Sequence, residues 1–588
     1  MLTLQPDPPF VLKPSRRSDF ERACPGPHDT SGAGRADARG LDCIGLETAL
    51  FHKVLPMEPA GAVTPVACSS VAEFEKLEPA LRDRLGPVVC RLKSAKAIED
   101  EILSMRAAYL SRRAEMRTPS RDSCRDWSGS RTGWIALAVL CLAVTVSVLW
   151  PGLAIAAVTV WAALTLLSVT GLRTLGALVE FRHARKHGRL WTSQRPFHLP
   201  ADQMPMMSLL VPLYDETDIA ERLVKRLGRL DYPSDRLEAC LILEANDTKT
   251  HAALRGARLP RWMRIIEVPT GTLQTKPRAM NYALDFTKGD IIGIYDAEDR
   301  PAPDQLMKIA GAFANASPDV ACLQGVLDFY NPRQSWLTRC FTIDYATWFR
   351  LVLPGLERLG MVIPLGGTTV FFRRRALEDL GRWDAHNVTE DADLGLRLAR
   401  RGFRCKFVPT VTEEEATASI KPWVRQRSRW IKGYCVTWCV HMRDPLALLG
   451  DLGLKRFIGV QIVFLGSLSQ FILAPLLWSF WLILFGVPHP LTAMAPPAAI
   501  LTLATLFFIA EIATVSIAAL SVATPRHGWL IKWVPMMHIY FPLAAFASWK
   551  GFAELITRPF YWDKTDHGKT PVTRGLGRLA WRLRQRLA

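Results

Sequence analysis

Asp290-Ile291-Ile292-Gly293-Ile294-Tyr295 runs without a break into Asp296-Ala297-Glu298-Asp299-Arg300-Pro301. The first six residues are an apolar, isoleucine-rich run of the kind that forms a strand buried on both faces. The next four carry three carboxylates. At a strand end these repel one another and suit no core. They make sense where a divalent cation neutralises them and bridges to a diphosphate. Upstream, short β-rich runs at 208–212, 239–243 and 263–268 alternate with helical or loop stretches. This alternation predicts an α/β domain over residues 200–445, with a mainly parallel sheet and ligands at the strand C-terminal ends.

The composition places that domain beside a membrane. The chain has 588 residues, 73 Lys+Arg against 55 Asp+Glu, a net charge of +18 and 49% hydrophobic residues, with a mean hydropathy of +0.10. Such numbers exclude a disordered chain, a disulfide miniprotein and a purely soluble single domain, and they require charge and apolar sequence to be segregated. Residues 134–150 and 153–169 are uncharged and broken only at Pro151-Gly152, which predicts a transmembrane hairpin over 133–171. Arginines on both sides (Arg112, Arg113, Arg121 before; Arg182, Arg185 after) place its flanks in the cytosol. Apolar runs return at 457–487, 498–523 and 530–548, so that 456–549 reads as membrane helices and 550–588 as a basic cytosolic tail. A cytosolic tail demands an even number of crossings after the hairpin, predicted as four, with 457–487 folding as two segments and Arg526 in an external loop. Glu511 is the notable ionisable residue within these runs.

These features predict a multi-pass protein of the cell inner (plasma) membrane with a cytosol-facing catalytic part. Its basic residues serve the lipid bilayer and no nucleic acid, because they fall beside the predicted spans and no nucleic-acid module is present. Pro6, Pro8 and Pro9 interrupt any signal-peptide core. Twelve cysteines show no CxxC pair and no metal-spaced cluster, which fits a reduced compartment. Residues 1–130 read as a polar leader and a small helical module, with Phe74, Leu77, Leu81 and Leu85 at helical spacing.

Two further stretches carry chemistry. Thr389-Glu390-Asp391 opens an amphipathic stretch; Thr389 suits an N-cap and the acids suit a helix N-terminus, or one carboxylate enters a cleft and takes a proton from an acceptor hydroxyl. Gln426-Arg427-Ser428-Arg429-Trp430 lies in a basic, aromatic helix just before the second apolar block. It reads as an interfacial anchor, or as a site whose aromatic faces stack on sugars while arginines clamp phosphate oxygens.

In this order the three elements resemble the processive family 2 glycosyltransferases, the cellulose, chitin and hyaluronan synthases, over roughly residues 205–570. The resemblance implies a Rossmann-like GT-A catalytic domain inserted between transmembrane segments. It implies Asp391 as catalytic base, Asp296 with Glu298 or Asp299 as ligands of Mg²⁺ or Mn²⁺, and Glu244 or Asp247 on the nucleotide. It further implies Lys276 and Asp296 at the diphosphate, with Gln426, Arg429 and Trp430 lining the donor and acceptor site. Residues 209–216, 275–281 and 364–369 resemble the base-gripping, phosphate-side and acceptor loops, and 560–568 a gating loop. Glu298 stands where the family usually has Asp, and Glu244-Ala245-Asn246-Asp247 replaces a plain acidic pair. The implied activity is inverting transfer of a sugar from a nucleotide-sugar, a UDP-sugar above all, to a growing β-linked polysaccharide that is exported, with an export or regulatory partner. The alternative is a non-processive transferase acting on a lipid-linked or short glycan acceptor.

Overall fold

The structure is a computed structural model and describes residues 34–186, 199–216 and 220–561. The tail and the gating-loop-like positions from 562 onward lie outside the described residues, as does the leader before residue 34.

The chain divides into two units. The first, Met1–Arg112 with Leu284–Lys288, holds a three-stranded sheet of β1 (Val54–Pro56), β2 (Thr64–Cys68) and β3 (Val88–Leu92). β1 is antiparallel to β2, and β2 is parallel to β3. The helix Val71–Leu85 makes the crossover, capped by Ser70 accepting from Glu73 N, and buries Phe74 and Leu81. The helical periodicity is therefore real, but the module is α/β rather than helical. Its strands have only three to five residues, too few to show a period of two.

The second unit is built on an eight-stranded sheet of β4 (Met207–Leu213), β5 (Leu237–Glu244), β6 (Met263–Val268), β7 (Ile291–Ile294), β8 (Arg300–Pro301), β9 (Val320–Phe329), β10 (Val370–Arg373) and β11 (Arg404–Glu414), in the order β6-β5-β4-β7-β10-β9-β11-β8. The four predicted strands are β4 to β7, and they are mutually parallel. The sheet as a whole is mixed, because β10 runs antiparallel to both β7 and β9. With only four residues and an arginine at its end, β10 carries no signal of direction in the sequence. The strand order reverses between β4 and β7. A crevice opens at such a switch point, and there β4 hands over to Tyr214 and β7 to Asp296.

Gly293 is dictated by packing. A Cβ there would meet the Phe371 ring at 2.6 Å and Leu209 at 2.9 Å, and Phe371 also packs edge-on to Tyr295 directly before the acidic turn.

Helices Gly129–Leu149, Pro151–Lys186 and Pro497–Val522 are long and apolar enough to cross a membrane. Two bent pairs add Pro445–Ile472 with Ala474–Leu484, at 68°, and Gly528–Tyr540 with Leu543–Thr557, at 47°. Arg526, expected in an external loop, instead donates to Glu413 at the end of β11, and His527 lies 3.2 Å from Asp328 of β9. The last bent pair returns to the catalytic domain as well: Lys432 Nζ donates to Glu554 at 3.0 Å, and Trp127 Nε1 donates to Leu555 O at 3.3 Å. Hydropathy alone does not distinguish a run that crosses from one that bends back.

Gly293→Ala is expected to destabilise the protein by about 1–3 kcal/mol through overpacking, read as a lower unfolding midpoint in detergent. An unchanged midpoint would show that the Phe371 ring yields freely.

Candidate active site

Beyond the C-terminal edge of β4, β5 and β7 lies a cavity of about 1060 Å³. Of the ten site residues expected from the sequence, eight line it: Glu244, Lys276, Asp296, Glu298, Asp391, Gln426, Arg429 and Trp430. Asp247 and Asp299 do not.

The acidic turn explains Asp299. Its carboxylate accepts from Asp296 N at 2.8 Å and from the Thr368 hydroxyl, and the side chain is fully buried. Burial, with Asp296 and Glu298 beside it, pushes its pKa well above the carboxylate range. Asp299 thus locks the turn to the 364–369 loop, leaving Asp296 and Glu298 to open on the cavity. The sequence left the second cation ligand open between Glu298 and Asp299, since both follow Asp296 within three residues; only the turn separates them. Among the described residues no three His, Cys, Asp or Glu side chains converge on one point as ligands. The hard oxygens of Asp296 and Glu298 nevertheless suit Mg²⁺ or Mn²⁺.

Asp247 is turned to its own loop. It caps the helix Thr248–Arg255 and accepts from Asp215 N at 2.7 Å, shaping the segment that carries Tyr214 into the cavity. Glu244 accepts from Arg278 Nη1 at 3.0 and 3.2 Å, and burial raises its pKa to about 7 against the pull of that arginine.

Lys276 begins the helix Lys276–Leu284, followed by Pro277 in its first turn. It pairs with Asp296 and donates to Gly367 O at 2.8 Å. Burial opposes its charge, but Asp296 and Glu390 outweigh burial and hold its pKa above the ordinary lysine value. Asp391, the second residue of the helix Glu390–Arg400, lines the cavity and accepts from Ala392 N at 2.8 Å. Burial raises the pKa of both acids, that of Glu390 to about 8. Thr389 holds the N-cap position but makes no side-chain cap bond.

The helix Ile420–His441 carries the third motif and is clamped to the Glu390 helix. Asn387 Nδ2 donates to Thr437 Oγ1 at 2.9 Å, and His441 Nε2 lies 3.0 Å from Asp393 Oδ1. Between them Gly433 passes so close to Thr389 that any Cβ would overlap its side chain. Arg429 is half-buried; desolvation lowers its pKa against the opposing pull of Glu390, Asp391 and Asp296. Gln426 accepts from Thr417 Oγ1 at 3.0 Å. Arg427 pairs with Asp344 and places its guanidinium 4.7 Å from the Trp430 ring, fixing that platform.

Sequence reasoning missed Glu414. At the end of β11 in the run Glu413-Glu414-Glu415, its neighbours pair with Arg300 and with Tyr330, while Glu414 lines the cavity with Oε1 shut off from solvent and without a hydrogen-bond partner. Strand alternation across three consecutive glutamates was the available signal.

Residues 291–546 match the family described as glycosyl transferase family group 2. Over that segment the sequence is similar to family 2 glycosyltransferases. A beta-monoglucosyldiacylglycerol synthase of Nostoc sp. is 26% identical over 302 residues, covering 50% of this chain and 60% of that protein. The cellulose synthase 1 catalytic subunit (UDP-forming) of Komagataeibacter xylinus is 26% identical over 343 residues, 56% of this chain and 41% of that one. The chain thus spans about 60% of the length of curated relatives such as the Nostoc synthase. A mannosyltransferase from Pyrobaculum calidifontis, solved with GDP-Man and Mn2+, covers 66% of this chain and 97% of its own at 20% identity and a TM-score of 0.41.

Gly433→Ala is expected to lower turnover by roughly 10- to 100-fold by pushing the two helices apart, and Thr389→Ala in the same chain to restore part of it. Kinetics of the single and double variants check this; equal turnover in wild type and Gly433→Ala would contradict the clamp.

Proposed function

We propose that the protein is a membrane-embedded, inverting glycosyltransferase that moves a sugar from a nucleotide-sugar, a UDP-sugar in the first instance, onto a growing β-linked polysaccharide. The observation that carries this reading is the continuity of one cavity. It is lined both by Asp391 and Lys276 of the catalytic domain and by Trp481, Glu511 and His538 of the apolar helices. Glu511 and His538 lie 3.0 Å apart, and Trp481 packs edge-on to His538. The Glu511–His538 pair and the Trp481 ring offer a hydroxyl-rich chain hydrogen-bonding and stacking partners that an acyl chain does not use.

In this reading Asp391 takes the proton of the acceptor hydroxyl as that oxygen attacks the anomeric carbon from the face opposite the diphosphate. Glu390 carries the proton that two adjacent buried carboxylates cannot both lose. Lys276 and Arg429 supply fixed positive charge on the leaving-group side. Trp430, held by Arg427, is the platform for the acceptor ring. Asp296 and Glu298 would hold Mg²⁺ or Mn²⁺, which when bound would supply Lewis-acid charge on the leaving-group side.

The membrane placement is part of the proposal. The hairpin crosses out and back, the Pro445–Leu484 pair crosses out, and Pro497–Val522 returns to the catalytic side, where Arg526 meets Glu413. The last bent pair then re-enters without crossing. Four crossings in all keep the basic tail in the cytosol, as the positive-inside rule requires, with the catalytic domain on the cytosolic face of the inner membrane. The second reading, transfer to a lipid or a short glycan, is favoured by the Nostoc relative's name; product length separates the two.

The test is nucleoside diphosphate release from a panel of UDP- and GDP-sugars by the purified protein, with product sizing. The expected result is release with one donor, long product, and loss of about 10²-fold or more in Asp391→Asn. Short products would favour the second reading, and release unchanged in Asp391→Asn would overturn the assignment. Because Asp391 must be ionised to accept a proton and burial raises its pKa, kcat/KM is expected to fall as pH drops, on a limb above the ordinary carboxylate range. A profile flat down to pH ~4 would contradict this.

A further inference from the structure

Glu115 lies in the stretch between the N-terminal module and the first apolar helix, a stretch to which the sequence gives no role. It is 7% exposed and belongs to the same unit as the catalytic sheet. Its Oε1 accepts from Thr272 N at 2.8 Å and Leu273 N at 3.3 Å, and its Oε2 accepts from the Thr272 hydroxyl at 2.6 Å. The same carboxylate lies 3.2 Å from Arg278 Nε, so Arg278 is shared between Glu115 and Glu244. The arrangement leaves no slack, since a Cβ on Gly271 would collide with both Glu115 and Arg278. Neighbouring bonds hold the stretch in place. Asn281 Nδ2 donates to Ala114 O at 2.9 Å, Ser123 Oγ donates to Asp384 at 2.8 Å, and Cys124 N donates to the other Asp384 oxygen at 2.8 Å.

Thr272 and Leu273 line the cavity, and they lead directly into Lys276. Gln274 Nε2 donates to Asn246 Oδ1 at 2.9 Å and Thr275 Oγ1 to Ala385 O at 2.8 Å, which anchors the far end of the loop, while its Thr272–Leu273 part is held by a carboxylate 157 residues away in sequence. We propose that Glu115 is a positioning residue for the nucleotide-sugar: it fixes the Thr272–Leu273 wall against which the nucleoside diphosphate half binds. This rests on the glycosyltransferase reading and adds the residue that shapes its donor pocket.

Calorimetric binding of UDP and of GDP, with donor KM and kcat, tests it in the full-length protein. Glu115→Ala is expected to weaken binding of the preferred nucleotide and raise donor KM by about tenfold or more, with kcat within about threefold. Glu115→Gln, which keeps one acceptor oxygen, and Thr272→Val, which loses only the hydroxyl bond, are expected to show smaller shifts of the same sign. Both conservative variants keep the test open if Glu115→Ala does not fold. A lowered unfolding midpoint with unchanged nucleotide affinity and KM in these variants would overturn the proposal, as would a fall in kcat alone. Wild-type protein that binds neither nucleotide and releases none from any donor would overturn the glycosyltransferase reading itself.

Discussion

Six carboxyl groups, Asp296, Glu298, Asp299, Glu390, Asp391 and Glu414, crowd the C-terminal edge of the sheet, where the cations acting on them are Lys276 and Arg429. Such a concentration of like charge is tolerable only if some groups stay protonated or a counter-charge arrives. Burial favours the first: it raises the pKa of Asp299, Glu390, Asp391 and Glu414 above the ordinary carboxylate range. A divalent ion arriving with the diphosphate would supply the second. Most of the surrounding structure can be understood as scaffolding that holds these acids together against their repulsion.

The scaffolding acts in layers. The reversal of strand order between β4 and β7 opens the crevice, and the Asp299–Thr368 lock aims Asp296 and Glu298 into it. The clamp from Thr389 to Gly433 and from Asp393 to His441 sets the Glu390–Asp391 pair against Arg429 and Trp430. Glu115 and Arg278 hold the facing loop. Each layer joins elements distant in sequence, so the site's geometry is a property of the folded domain and not of any single motif.

What the sequence made legible was local. The strand before the acidic turn, the parallel strands β4 to β7, the apolar hairpin and the order of the three motifs all follow from periodicity and residue chemistry within short windows. What stayed hidden was set by tertiary contact. The inward turn of Asp299 depends on Thr368, the antiparallel course of β10 on its neighbours, and the placement of Arg526 on Glu413. Glu414 is hidden among three adjacent glutamates that only strand geometry tells apart. Glu115 carries no local signal at all, because its partners at Thr272 and Leu273 are far along the chain.

The measurement that addresses the charge argument most directly is Mn²⁺ binding by electron paramagnetic resonance, titrated with and without UDP or GDP. The account predicts one ion per chain, bound more tightly when the preferred nucleoside diphosphate is present and lost in a variant combining Asp296→Asn with Glu298→Gln. Mn²⁺ binding that ignores the nucleotide, or that survives both substitutions, would contradict it.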